Sequence, residues 1–399
     1  MSIGTLTSTI LQKMTGLPKR RREFLQHLMR LLVSLRGRFN FMNLSRWGQF
    51  NELTYRQHFS KTFDFLTFNS LLVFSHCSAE TAIVFDPSYL SKSGKHTYGL
   101  GRFWSGCARQ VKKGLELAGF SCVDLDQWTA MHLYARQTVP TEGQTLMDFY
   151  IALLKELSGQ LLKISKVLCV DAYFSKHEYV AAALACGFTL VSRLRNDTVL
   201  YYLYTGPKTG KKGRPKVYDG KVKKADLRLE VFARFQTGDG TVAYHGLVYI
   251  KSVKMKARVV IVPQEEGKGG WKTPKVFFST DTQMDGPRVL RLYKARFQCE
   301  FLYRDAKQHT GLAQAQCRSK EKLHFHLNAA LTAVSLAKAA HYLNQEDGQE
   351  SAFSMADIKT QYGNEFLLDR FINVFGIDPQ QEDNSQKIQQ LYNMGRIAA

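Results

Sequence analysis

Residues 81–195 alternate short apolar runs with cappable helical segments, and this alternation constrains the fold more than any other feature. T-A-I-V-F-D-P reads as a buried strand ending at Asp86. The runs around G-R-F-W-S-G and L-A-G-F-S-C-V-D-L suggest two further strands. Thr141-x-x-Gln144 is spaced to cap a helix running to about Ser158, and K-V-L-C-V-D is a second apolar strand closed by a carboxylate, Asp171. Ser175-x-x-Glu178 is spaced to cap another helix, stopped by Gly187, and F-T-L-V-S-R-L-R follows as a strand. Such an order predicts an α/β layer, a mixed sheet flanked by helices.

The flanking segments differ. Residues 196–285 hold strand-like runs such as L-R-L-E-V-F-A-R-F and A-R-V-V-I-V, separated by Gly- and Lys-rich turns, which predicts a β-rich insertion. Residues 1–78 read as helical and basic, with 11 Lys and Arg against 3 Asp and Glu in the first 75 residues. Within them, residues 43–59 suggest a short helix, a break near Gly48 and a second helix opened by Thr54-x-x-Gln57. In helix–turn–helix geometry this would turn Tyr55, Arg56 and His58 toward DNA, with Arg46 nearby; a plain helical bundle with solvated cations fits equally well. The expected organisation is therefore a helical region at 1–78, a first α/β part at 79–195, the β-rich insertion at 196–285, a closing part at 286–345 and a helical, acidic region at 346–399.

Charge narrows the partner. The chain carries a net +21 at pH 7. Residues 341–399 contain 4 Lys and Arg against 9 Asp and Glu, leaving 51 against 25 in residues 1–340, so the basic surface belongs to the body of the chain. This favours a polyanionic partner, most simply double-stranded DNA. No apolar run approaches the ~20 residues a membrane span needs. The start, M-S-I-G-T-L-T-S-T-I, lacks the pattern of a signal peptide. Seven scattered cysteines without a C-x-x-C pair fit reduced thiols of a cytoplasmic protein. The most charged loop, at 205–216, contains Lys212-Gly213-Arg214-Pro215, an extended basic stretch suited to entering a narrow groove or simply to capping a solvated hairpin.

The chemistry concentrates in Y-K-A-R-F-Q-C-E-F-L-Y-R-D-A-K, residues 293–307. Asp285-Gly286-Pro287 supplies a helix start, and neither Pro nor Gly interrupts residues 288–310, which predicts one helix. At about 100° per residue, Tyr293, Arg296, Glu300 and Lys307 fall within an arc of about 60° on one face. A carboxylate there can hold a divalent metal, while the cations and phenol can hold phosphate oxygens; Arg304 adds a further cation. Asp86 and Asp171, each at a strand end, lie where sites gather in such folds, and the Glu300 helix can pack beside them. Two Asp and one Glu suit a pair of Mg²⁺ ions, with Mn²⁺ as a substitute, for in-line displacement at phosphorus.

With these motifs the chain resembles the DDE transposases of bacterial insertion sequences, in the branch marked by Tyr-x2-Arg-x3-Glu-x6-Lys (insertion-sequence family four). Tyr293, Arg296, Glu300 and Lys307 match that spacing, F-D-P-S-Y-L-S-K-S-G-K-H supplies Asp86, and V-L-C-V-D-A-Y-F-S supplies Asp171. The likeness runs from about residue 40 to 340. Pro87 stands where some relatives carry a second acid, which removes no ligand. The resemblance implies an RNase H-like core interrupted by a β-rich insertion, with Asp86, Asp171 and Glu300 as metal ligands and Tyr293, Arg296 and Lys307 on backbone phosphates. It implies cleavage at the terminal inverted repeats of a mobile element, joining of the freed 3′-hydroxyls to target DNA, and a homodimer on the DNA ends in the nucleoid. Relatives often pass through a DNA hairpin with a flipped base on an aromatic of the insertion; Trp271 is the candidate, or else an ordinary loop tryptophan. A metal-dependent nuclease without strand transfer, and a silent DNA-binding regulator, remain as alternatives.

Overall fold

The computed structural model describes residues 1–106, 108–207, 215–264, 273–345 and 351–397. Lys212, Arg214 and Trp271 lie outside the described residues.

Five helices open the chain: α1 (Ile3–Gln12), α2 (Lys19–Ser34), α3 (Phe41–Trp47), α4 (Glu52–Ser60) and α5 (Phe65–His76). The strands and helices that follow are β1 (Thr81–Ser91), β2 (Gly101–Ser105), β3 (Gln110–Asp124), β4 (Thr129–Gln137), α6 (Leu146–Leu161), β5 (Val167–Cys169), α7 (His177–Ala185) and β6 (Thr189–Arg193). Six strands come next: β7 (Leu200–Leu203), β8 (Tyr218–Lys221), β9 (Phe232–Gln236), β10 (Val242–Ile250), β11 (Met255–Val262) and β12 (Lys275–Ser279). Helices α8 (Gly286–Ala295), α9 (Gln298–His309), α10 (Lys320–Leu343), α11 (Met355–Phe375) and α12 (Glu382–Asn393) complete the chain.

All twelve strands of the described residues join one mixed sheet. β1 pairs antiparallel with β3, β3 with β4, and β1 runs parallel to β5, as β5 does to β6. The order β4-β3-β1-β5-β6 is consistent with an RNase H-like core. The strands of residues 196–285 continue the same sheet, because β12 adds antiparallel to β6 and β11, β10 and β7 follow. One face of the core buries Phe85, Phe120, Tyr150, Phe174 and Tyr179 in ring-to-ring contact, under α6 and α7. The other carries α8, α9 and the nearly all-buried α10.

Several local expectations shift. β1 does not end at Asp86 but runs on to Ser91, because the long β3 pairs it throughout and sets Asp86 opposite Gly119. The caps also move. α4 starts at Glu52, where Asn51 accepts the Thr54 N–H at 2.8 Å. Thr145 and Asp148 form the box that opens α6, while Gln144 only closes a turn onto Thr141. Ser175 caps nothing, since its hydroxyl bonds Ser192 and the Arg193 carbonyl. The Tyr293 segment is two helices, α8 and α9, joined by a tightened turn in which Cys299 N and Glu300 N bond the carbonyls three residues back.

The acidic end of the chain folds back on the N-terminal helices. Arg30 pairs with Asp369 at 2.5 Å, and the Ile3 N–H donates to Tyr362 Oη at 3.0 Å. Lys359 of α11 donates to the carbonyls of Leu32 and His309, at the C-terminal ends of α2 and α9, where positive charge is favoured. Burial nevertheless lowers its pKa from 10.5 to about 7. The unfolded chain therefore binds a proton between pH 7 and 10.5 that the folded chain does not, and stability falls as pH drops through that window. We expect the unfolding free energy of the protein to rise between pH 7 and 10, by an amount on the order of a few kcal/mol from this group. Lys359→Met should flatten that rise in denaturant titrations; an unchanged pH slope would contradict the burial of the amine.

Candidate active site

Register brings the first two acids together. Val84 of β1 is level with Cys169 of β5 on the adjacent parallel strand. Asp86 and Asp171 each stand two residues further on, just past the end of this pairing, where the two strands have been about 4.8 Å apart. β5 has ended there, and Asp171 opens a short 3₁₀ turn over Ala172–Phe174, its carboxylate accepting the Tyr173 N–H at 2.9 Å. Ser192 Oγ donates to the Asp171 carbonyl at 2.9 Å and fixes this turn to β6.

α9 brings the third acid. Arg296, with an 11% exposed side chain, bridges the two elements: Nη2 donates to Glu300 Oε1 at 2.9 Å and Nη1 lies 3.6 Å from Asp86 Oδ1. Its Nε is buried and finds no hydrogen-bond partner among the described residues. The guanidinium also stands 5.5 Å from the centre of the Tyr293 ring. Lys307 Nζ bonds Ser88 Oγ at 3.1 Å, two residues along β1 from Asp86. Arg296 and Lys307 thus face β1, with Glu300 held by Arg296, while the Tyr293 ring packs on Phe277 of β12 beside the guanidinium. Glu300 is exposed while both aspartates are half-buried.

Burial raises the Asp86 carboxyl from 3.8 to about 7; Arg296 opposes the shift, while the charges of Asp171 and Glu300 add to it. Burial also pushes Asp171 up, against the Tyr173 N–H and Arg296. For Arg296 burial disfavours the charge, but Asp86, Tyr293 and Glu300 more than offset it and hold the guanidinium protonated. The three acids therefore feel one another and share one cation. No group of three His, Cys, Asp or Glu side chains among the described residues is close enough to hold a metal ion. The donor chemistry, carboxylates alone, nonetheless suits a hard divalent cation. Here Arg296 supplies the positive charge between Asp86 and Glu300.

Residues 143–336 match the family described as the transposase DDE domain. This transposase DDE match covers just under half of the chain, from the loop before α6 into α10, and includes Asp171, Arg296 and Glu300. Asp86 precedes it and joins the site through the β1–β5 register. No curated protein matches the chain.

The other residues read from sequence fall elsewhere. Arg304 is exposed beside Asp305 and the Phe301 ring. Arg46 is exposed at the end of α3, and Arg56 is exposed on α4 but paired with Glu52 at 2.5 Å. Tyr55 cannot face DNA: it is fully buried and bonded to His27. His58 stacks on Phe24 at 3.9 Å and is engaged by Arg21.

Sequence reasoning passed over a cavity of about 520 Å³ beside Tyr293 and Arg296, lined also by Arg193, Lys275, Phe277 and Phe297. Arg193 closes the S-R-L-R strand end, a signal of the same kind as V-D at Asp171. It also passed over Gly119. Tyr303 Oη lies 3.3 Å from the Asp86 carbonyl and occupies the space a Gly119 side chain would need, since a Cβ there would lie 1.8 Å from that oxygen. Gly119 thus lets α9 seat against β1 and β3. We expect Gly119→Ala to cost about 1–3 kcal/mol of stability by overpacking. Tyr303→Phe in the same chain should restore most of it. Additive losses in a thermal-melt double-mutant cycle would show that the two do not touch.

Proposed function

We propose that the chain is a DNA transposase that cuts the ends of its element and joins the 3′-hydroxyl ends to target DNA, with Asp86, Asp171 and Glu300 as its metal-binding acids. The observation that carries this reading is the Arg296 bridge from Asp86 on β1 to Glu300 on α9, beside Asp171. It unites acids from distant parts of the chain at one cleft on a strongly basic protein. The transposase DDE match supports the same class, and no helix among the described residues is long and apolar enough to cross a membrane.

Two Mg²⁺ or Mn²⁺ ions held by these carboxylates would activate the attacking water or 3′-hydroxyl and stabilise the leaving oxygen. The chain's own groups do the positioning. Lys307 and Arg296 present cations, and Tyr293 a phenol, to the non-bridging oxygens of the phosphate beside the cut bond. Arg296 exchanges its carboxylate partners for phosphate oxygens as the DNA arrives. Ser192 holds the Asp171 turn, and Tyr303 holds α9 on the Asp86 strand. A homodimer on paired element ends, working on DNA in the bacterial cytoplasm, completes the proposal.

The test is a Mg²⁺-dependent reaction on labelled duplexes carrying the DNA that flanks the coding region. Cleavage followed by joining supports the transposase. Cleavage alone would make the protein a nuclease, and retention without cleavage would make it a regulator.

A further inference from the structure

The β2–β3 hairpin lies at the end of the sheet, beyond the catalytic part of β1, and takes no part in the site described above. Between Pro87 and Leu115 the chain carries Lys92, Lys95, Arg102, Arg109, Lys112 and Lys113 and not one Asp or Glu. Arg102 stands directly opposite Lys113, and Trp104 opposite Val111. By strand alternation these four share one face of the ribbon. Trp104 is 60% exposed and Val111 47%.

Like charges placed directly across a ladder destabilise it, so the Arg102–Lys113 pair is a cost without an anionic partner. Charges on an edge strand can also serve to repel stray strands. That purpose does not fit an indole left open at the same edge. A ribbon with flanking cations and an exposed apolar pair near its end matches a DNA groove, with the cations on the phosphates and the apolar pair against the sugars or bases.

The ribbon is tied rigidly to the cleft. β3 pairs β1 from Asp124 down to Gly114 and β2 beyond it. Tyr89 Oη donates to the Lys113 carbonyl at 2.7 Å, and Lys113 Nζ to the Gly94 carbonyl at 2.9 Å. From Gly119, opposite Asp86, to Val111 is eight residues of strand, about 27 Å. That span corresponds to about eight base pairs at ~3.4 Å each.

We propose that the β2–β3 hairpin is a second DNA contact, gripping duplex about eight base pairs from the bond being cut, with Arg102 on a phosphate and Trp104 in the groove. The proposal rests on the chain acting on DNA as argued above. The experiment uses the full chain and a fluorescent duplex carrying the flanking DNA, titrated over a range of KCl. Arg102→Ala should lower the slope of log affinity against log salt by about 0.9, one phosphate's worth. Trp104→Ala should weaken binding about tenfold with the slope unchanged, the size of one lost apolar side-chain contact. In hydroxyl-radical footprints both should lose protection about eight base pairs from the active-site contact. Both side chains are exposed, so melting temperatures should match the wild type. Wild-type affinity, slope and footprint in both variants would overturn the proposal, whatever the protein does at the cleft. If the variants behave as expected but the wild type neither cleaves nor joins, the hairpin stands and the transposase reading falls.

Discussion

Asp86→Asn, Asp171→Asn and Glu300→Gln are each expected to lower Mg²⁺-dependent cleavage by about three orders of magnitude or more, at least the loss that follows removal of a single electrostatic group from a preorganised site. DNA binding should persist in all three, because each change removes a negative charge from a surface that faces phosphates. The equality of the effect is the informative part. The three acids come from a core strand, a strand-end turn and a helix of the closing segment, and only a shared site makes them equally necessary. Single-turnover rates on nicked and intact duplexes, with binding measured in parallel, decide the matter. A variant cleaving at the wild-type rate would remove its acid from the site.

Arg296→Ala should show two separable losses. On DNA, cleavage should fall about 10²–10³-fold, since a donor aimed at the reacting phosphate is gone. Arg296→Lys should recover little, because a point charge cannot span Asp86 and Glu300 as a guanidinium does. Without DNA and in EDTA, the variant should be less stable than the wild type, and more so at pH 8 than at pH 5. The sign follows from Asp86. Its folded pKa, about 7, lies above its unfolded value of 3.8, so the folded state holds an extra proton between those values and stability is lost as pH rises through 7. Removing Arg296 raises the folded pKa further and deepens the loss above pH 7. At pH 5 Asp86 is neutral in both proteins, and only the exposed Glu300 contact is missing, worth about 0–1 kcal/mol. At pH 8 the gap should widen by about 1.4 kcal/mol, the cost of keeping Asp86 protonated one pH unit above its wild-type value. A gap independent of pH would mean that Arg296 does not hold Asp86.

Much of the candidate site is legible in the sequence because its signals are local. An acid closing an apolar run, as in V-L-C-V-D, marks the rim of a sheet, and Tyr293, Arg296, Glu300 and Lys307 fall on one helix face by arithmetic alone. The tightened turn at Arg296 and Phe297 was hidden, since no Pro or Gly announces it, yet it was too short to scatter the stripe. Pairing was beyond reach. Nothing in T-A-I-V-F-D-P tells that β3 carries β1 five residues past Asp86, or that Val84 and Cys169 are level. Caps were misplaced for a related reason. Thr141, Gln144, Thr145 and Asp148 all suit a helix start, and Ser175 lost its cap role to Ser192, a partner 17 residues away. Tyr55 is buried where helix–turn–helix geometry would expose it, because a short helix gives no sign of which face meets α2. The pairing of Arg296 with two acids was also invisible, since a cation four residues from a carboxylate usually signals only a surface ion pair.

The central claim is that Asp86, Asp171 and Glu300 form one metal site, and the most direct test is a count of bound metal. Mn²⁺ titrated into the DNA-bound protein and followed by electron paramagnetic resonance should give about two bound ions per chain in the wild type, the number two-metal displacement requires. Each of Asp86→Asn, Asp171→Asn and Glu300→Gln should lose at least one of them. Equal counts in the wild type and all three variants would contradict the account.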